Sequence, residues 1–218
     1  MIESNFAKWL DTAFFGFDGA ILEFYHRLAE WCGTLLTPFM YLITITGNKG
    51  LFLILLSLGL VLFSKTRKTG FCMLLAILCG ALMTNVILKE TICRLRPYVA
   101  SDVFREFWTF VGAHTESEFS FPSGHTTAAA AAATGLWLVR GKKYLAISIP
   151  YVALMAASRN YFMVHYPTDV IAGAVVGAIG GIVAYLIVLG ICRAMKKYEN
   201  TKIYRGMVDF DVIGVFKK

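Results

Sequence analysis

Residues 167–192 read PTDVIAGAVVGAIGGIVAYLIVLGIC, and nothing after Asp169 in that run carries a charge. The run lacks the apolar–polar alternation of a half-buried strand. As a helix it would extend about 39 Å, enough to cross a hydrocarbon layer roughly 30 Å thick. Gly173, Gly177 and Gly181 recur every four residues along one helix face, so the backbone of a neighbour can approach closely there. Pro167 suits the first position of the helix, which puts Asp169 in its first turn.

Working outward, similar apolar segments lie near 31–47, 50–64, 71–92, 123–139 and 143–160. The chain of 218 residues is 57% hydrophobic and only 16% charged, whereas an ordinary soluble domain is about a quarter charged. The expected fold is therefore all-α: a polytopic membrane helical bundle of about six transmembrane helices, with five as the alternative. Several segments are short for a bilayer, so tilt or snorkelling by Lys49 and Lys65 is expected. Pro38 is expected to kink the first crossing. Ala128 to Ala133 give the helix after His125 a slim profile that suits close packing.

Residues 1–30 mix Phe and Leu with Asp11, Asp18, Glu23, Arg27 and Glu30, which suits an N-terminal amphipathic interfacial helix. The opening MIESNFAKWLDTAFF has an early acid and no basic region before a short apolar core, so it does not read as a cleaved signal peptide. The five cysteines show neither metal-ligand spacing nor a disulfide framework.

The net charge of +7 does not point to nucleic acid, because the basic residues gather at the ends of apolar segments. Lys65, Arg67 and Lys68 sit in one connection and Arg140, Lys142 and Lys143 in another. Arg193, Lys196, Lys197, Lys202, Arg205, Lys217 and Lys218 follow residue 192. Six crossings put these groups and the N-terminus on one side, which the positive-inside rule makes cytoplasmic. The turn near 47–50, the long loop 97–121 and the stretch 161–167 then face outward.

Three polar stretches fall on that outward side. In the first, Lys89 and Arg96 are seven residues apart, about two helical turns, so one helix would aim both at one point. Pro97 is expected to end that helix at Arg96. Arg94 falls on another face and is expected in solvent or among headgroups. In the second, Phe121-Pro122-Ser123-Gly124-His125 opens an apolar helix, with free N–H groups that attract a phosphate, a hydroxyl and an imidazole. In the third, Arg159 closes a helix, His165 follows, and Asp169 is placed to accept a hydrogen bond from His165 and fix its tautomer. Singly, each stretch also reads as a basic helix anchor, an ordinary helix start or a capping Asp beside an interfacial His. Together, three cations, a helix N-terminus and two histidines describe a phosphate pocket with acid–base help.

At these residues the sequence resembles the type-2 phosphatidic acid phosphatase superfamily of integral membrane lipid phosphatases. Its pattern is Lys-x6-Arg-Pro, then Pro-Ser-Gly-His, then Ser-Arg-x5-His-x3-Asp, and every specified position is matched between Lys89 and Asp169. The resemblance implies that His165 is the nucleophile, forming a phosphohistidine, and that Asp169 orients it. His125 then protonates the leaving oxygen and later activates water. Lys89, Arg96, Ser123, Arg159 and the Gly124 N–H hold the phosphate. No metal and no cofactor are implied, and Asp169 is expected to be the pocket's only carboxylate. Relatives often carry Gly two positions before the nucleophilic His. Here that position is Met163, a departure that bears on pocket shape and access.

On this reading residues 1–30 are the interfacial segment, 31–195 the membrane phosphatase domain and 196–218 a basic cytoplasmic tail. The expected partners are the bilayer and a lipid phosphate: undecaprenyl pyrophosphate first, phosphatidylglycerol phosphate or phosphatidic acid next. The loop 97–121, with Phe107, Trp108, Phe110 and His114 among acidic Asp102, Glu106, Glu116 and Glu118, reads as a lid, a headgroup reader or an ordinary interfacial loop. A lipid phosphotransferase would use the same residues, and an anionic-lipid transporter would need the cations without the His165–Asp169 pair. The sequence carries no signal of oligomeric state.

Overall fold

A computed structural model of the chain describes residues 3–116, 119–198 and 200. Helix α1 (Asn5–Ala13) starts at Ser4, whose hydroxyl accepts from the Ala7 N–H at 3.1 Å. Helix α2 (Phe15–Gly47) is 33 residues long and leaves helical geometry at Cys32. The break expected at Pro38 is found instead at Cys32, upstream of the Thr34 carbonyl that the proline ring crowds. A tight turn, Asn48–Gly50, with Lys49 and Gly50 in left-handed conformations, leads to α3 (Leu51–Val61).

Helix α4 (Arg67–Ala81) continues through a π-helical stretch, Leu82–Leu88, into α5 (Lys89–Ile92). Cys93, at φ 54°, stops it. The helix thus ends short of Arg96, and Pro97 instead opens α6 (Pro97–Ala100). The connection expected as loop 97–121 also holds α7 (Asp102–Phe110), which Ser101 caps. Helices α8 (Gly124–Arg140) and α9 (Leu145–Tyr161) follow, and α10 (Pro167–Met195) has Pro167 at its first position and Asp169 in its first turn, as the sequence indicates.

The bundle closes around α4, α8 and α10, where Ala76, Ala131 and Ala184 meet. Gly173, Gly177 and Gly181 lie against α8. A Cβ at Gly173 would stand 2.7 Å from the Ser123 carbonyl, one at Gly181 2.5 Å from the Thr134 side chain, and one at Gly177 would strike the Thr127 carbonyl. The small-residue face therefore sets the distance between these two helices. Helices α2 and α9 add a flanking layer around Met40, Tyr161 and Phe162, and α3 packs on α4 through Leu53, Met73 and Ile77.

Large apolar side chains such as Trp31, Leu35, Leu55, Val86, Ile147 and Leu186 point outward on several helices. Among the described residues, the stretches Phe15–Val61, Arg67–Ala100 and Pro167–Tyr198 are long and apolar enough to cross a membrane, and the first is two helices joined at the 48–50 turn. The chain is a multi-pass membrane protein built as an all-α bundle. Arg140 donates to the Lys65 carbonyl at 3.2 Å, so two of the basic connections share one end of the bundle. Lys202, Arg205, Lys217 and Lys218, the bulk of the expected basic tail, lie outside the described residues.

Candidate active site

His125 stands in the first turn of α8, at the end opposite Arg140, and His165 in the short connection before α10. Both line one cavity of about 260 Å³, together with Lys89, Arg96, Glu116 and Gly124. Residues from all three polar stretches therefore meet. The route to convergence differs from the one the spacing predicts. A π-helical stretch precedes Lys89 and the left-handed Cys93 follows it, so Lys89 and Arg96 do not share one regular helix face. Lys49, expected to snorkel, also lines the cavity from the 48–50 turn.

The His165 ring is held from both sides. Arg96 donates to the Val164 carbonyl at 2.7 Å and lies 3.3 Å from His165 Nε2. On the other edge, Nδ1 is 3.6 Å from Asp169 Oδ2 and 3.5 Å from Ser120 Oγ, while Ser120 itself donates to that carboxylate oxygen at 2.5 Å. A cationic donor beside Nε2 and acceptors beside Nδ1 select the Nδ1–H tautomer, leaving the Nε2 lone pair on the Arg96 side. Burial, then the charges of Arg96, Arg159 and Lys89, hold the imidazole well below its ordinary pKa, hence neutral. A neutral imidazole with a directed lone pair can act as a nucleophile.

Three expected site residues stand just behind the cavity wall. Ser123 is the N-cap of α8, and its hydroxyl accepts from the Thr126 N–H and hydroxyl at 3.4 and 3.1 Å. Pro122 precedes this cap rather than opening the helix. Asp169 is fully buried at the start of α10 and accepts from the Tyr166 N–H at 2.8 Å. Arg159, buried at the end of α9, donates to Thr44 and to the Glu116 carboxylate.

Glu116 corrects the expectation of a single pocket carboxylate. Burial alone would raise its pKa, but Arg159, with His125 and Arg96 behind it, overrides that and holds it at about 2. His114, two residues earlier, is lowered by burial and by Arg159. Its ring packs on Tyr41 and Phe162, and its carbonyl accepts from the Trp108 indole at 2.7 Å, so this part of the 97–121 connection is folded onto the bundle. Glu118 lies outside the described residues. Gly47 also shapes the cavity, because a Cβ there would stand 2.8 Å from the His125 ring.

Arg94 is the largest departure from the sequence reading. Instead of facing solvent it is 1% exposed, donating to Asp169 at 2.7 Å, Asp18 at 2.9 Å and Asp11 at 2.8 Å, with Thr168 Oγ1 at 2.7 Å and the Tyr166 ring at 3.9 Å. The N-terminal residues are thus part of the bundle's polar interior and not only an interfacial segment. Met163, where relatives often carry Gly, has φ 55° and is fully buried beside Leu22 and Tyr166. The left-handed backbone explains why glycine suits that position.

Known proteins resemble the chain in sequence and in fold. The PAP2 superfamily profile matches residues 70–191, more than half of the chain. An undecaprenyl-diphosphatase of Sulfolobus acidocaldarius is 29% identical over 119 residues, covering 55% of each chain. Phosphatidylglycerophosphatase B of Bacillus subtilis is 31% identical over 158 residues, 68% of this chain and 70% of its own. The alignment with the first of these thus spans only about half of that relative's length. The crystal structure of a transmembrane PAP2-type phosphatidylglycerolphosphate phosphatase from Bacillus subtilis superposes with a TM-score of 0.60 at 28% identity, covering 87% of this chain and 94% of that one. The matched stretch contains both cavity histidines, Lys89, Arg96 and Asp169 within a bundle of the same fold, and the chain belongs to the PAP2 superfamily.

Proposed function

We propose that the chain is a metal-independent membrane lipid phosphatase that hydrolyses a phosphomonoester or diphosphate through a phosphohistidine on His165. One observation carries this reading: two imidazoles, Lys89 and Arg96 line a single cavity, with a carboxylate behind one of the imidazoles. His165 Nε2 attacks phosphorus as the bond to the lipid oxygen breaks, and protonated His125 gives that oxygen its proton. Asp169 balances the positive charge that the ring gains. His125, now neutral, takes a proton from water as the water oxygen attacks phosphorus. The bond to Nε2 breaks and inorganic phosphate leaves. Lys89, Arg96 and the Gly124 N–H offset the charge of the transferring phosphoryl group, and Arg159 and Ser123 join them by small side-chain movements.

The reading extends to six crossings, with the cavity on the extracytoplasmic face and the C-terminus inside. Support comes from the basic connections at one bundle end and His125 at the other. Undecaprenyl pyrophosphate ranks first as substrate, with phosphatidylglycerol phosphate and phosphatidic acid next. The names of two relatives support the first two choices.

Phosphate release from these three lipids in detergent, with chelator present, tests the activity and ranks the substrates. Purified His165→Ala protein that kept full turnover would overturn the mechanism, and phosphate passed to an added lipid acceptor instead of water would make the chain a phosphotransferase. For orientation, a membrane-impermeant thiol reagent should label a cysteine introduced at Asp102 on intact cells but not one at Lys142.

A further inference from the structure

Behind the nucleophile, Asp169 does not act alone. Its Oδ1 is held by Arg94 at 2.7 Å, while Oδ2 serves Ser120 and the Tyr166 N–H and faces His165. Arg94 is permanently charged, and with Asp169 as its one partner it would cancel the field that His165 feels. Two further carboxylates prevent this: Asp18 and Asp11, both from the N-terminal helices. One guanidinium among three carboxylates leaves the cluster negative. Asp18 also accepts from the Thr168 N–H at 3.0 Å and hydroxyl at 2.7 Å, fixing the first turn of α10 that carries Asp169. The N-terminal segment is stitched down nearby, with Leu95 N–H donating to Glu3 at 2.9 Å and Ser4 N–H to the Ile92 carbonyl at 3.3 Å.

We propose that Arg94, Asp18 and Asp11 are positioning residues for phosphoryl transfer, and that the N-terminal helices through this clamp set the place and charge of Asp169 behind His165. The inference rests on the reading of His165 as nucleophile. It assigns a role in the chemistry to a part of the chain outside the three motifs. A purely architectural clamp would hold the fold together but leave the rate of the folded molecules unchanged.

Rapid-quench single turnovers in detergent micelles, with 32P-labelled undecaprenyl pyrophosphate, phosphatidylglycerol phosphate and phosphatidic acid each tried and the fastest used, separate these cases, because trapped phosphohistidine gives both a rate and an amplitude. Asp18→Asn removes charge while its amide oxygen can still accept from Thr168. It should slow phosphohistidine formation about tenfold, the equivalent of one pK unit, with full amplitude and an unchanged KM. Asp11→Asn, at a partly exposed position that tolerates substitution better, should slow it about threefold, on the logic that screening weakens an exposed charge. A wild-type rate in both variants would overturn the proposal. So would a lost amplitude at an unchanged rate, which is the signature of misfolding alone. Absence of phospho-His165 in the unsubstituted protein would sink the parent reading and this one with it.

Discussion

The two nitrogen edges of the His165 ring meet opposite kinds of polar interior. In front, among the described residues, Lys49, Lys89 and Arg96 line the cavity with one carboxylate, Glu116, which is tied to Arg159. Behind, one guanidinium is surrounded by three carboxylates. The front opens its cations onto a cavity, whereas the back is closed around its carboxylates. Buried charge is held by partners, and a phosphate entering the cavity would become a further partner of the cations that line it.

The largest effect expected from breaking the front is that of His125→Ala. Loss of a general acid should lower kcat about 10²- to 10⁴-fold for a lipid phosphate, and much less for an aryl phosphate whose leaving group needs no proton. Equal losses for both substrates in steady-state assays would remove His125 from the acid role.

Next comes Glu116→Gln, which leaves Arg159 buried without its anion. Removing one partner of a buried pair costs about 3–5 kcal/mol, and the partial exposure of Glu116 reduces this to roughly 1–3 kcal/mol. Thermal melting should show the loss, and added inorganic phosphate should recover more stability in the variant than in the parent. No difference in the phosphate response would mean that Glu116 does not stand in for the substrate's charge.

Acid should loosen the front in two stages. His165 binds protons less readily folded than unfolded, so its contribution is complete above about pH 6.5 and declines as the pH falls below that. The Glu116 carboxyl is lowered, so its contribution is present above its ordinary value near 4.5 and is lost as the pH falls toward about 2. Melting temperature should therefore fall from pH 6.5 downward, and His165→Asn should make the stretch between 6.5 and 4.5 shallower, with His114 supplying part of the remaining slope. A profile unaffected by that substitution would refute a neutral, buried His165.

The smallest effect is the difference between two substitutions at Met163. Truncating this buried side chain to Ala should cost about 2–5 kcal/mol, and Gly removes one more methyl group. Gly, however, relieves a left-handed backbone that disfavours other residues by about 1–2 kcal/mol. Met163→Gly should thus be less destabilised than Met163→Ala in chemical denaturation, the reverse of their usual order in a helix.

Much of the site's frame was legible because its parts are local in sequence. Pro167 announces the start of α10 and places Asp169, Ser123 sits at the opening of α8, and the glycine repeat marks the face that meets α8. Lys89 and Arg96 were rightly expected to converge, but on an ideal helix that the π-helical stretch and Cys93 interrupt, since hydrophobic spacing does not report a local change of pitch. The back was invisible for a different reason. Arg94 is 83 residues from Asp11, 76 from Asp18 and 75 from Asp169, and no local pattern pairs charges over such separations. Glu116 was hidden likewise, one acid among several in a connection without periodicity. The break in α2 lies at Cys32, beyond the Thr34 carbonyl that the Pro38 ring crowds, so the proline does not mark its position.

The glycine face of α10 has a mechanical consequence. His125 rides on α8, and Asp169 with its neighbour His165 on the start of α10; these two rods touch backbone to backbone from Gly173 to Gly181. A lipid sheet that thickens or thins can lean the outer helices without sliding this pair. The spacing of donor and nucleophile is thereby insulated from the material around it, and adaptation to different bilayers falls to the periphery.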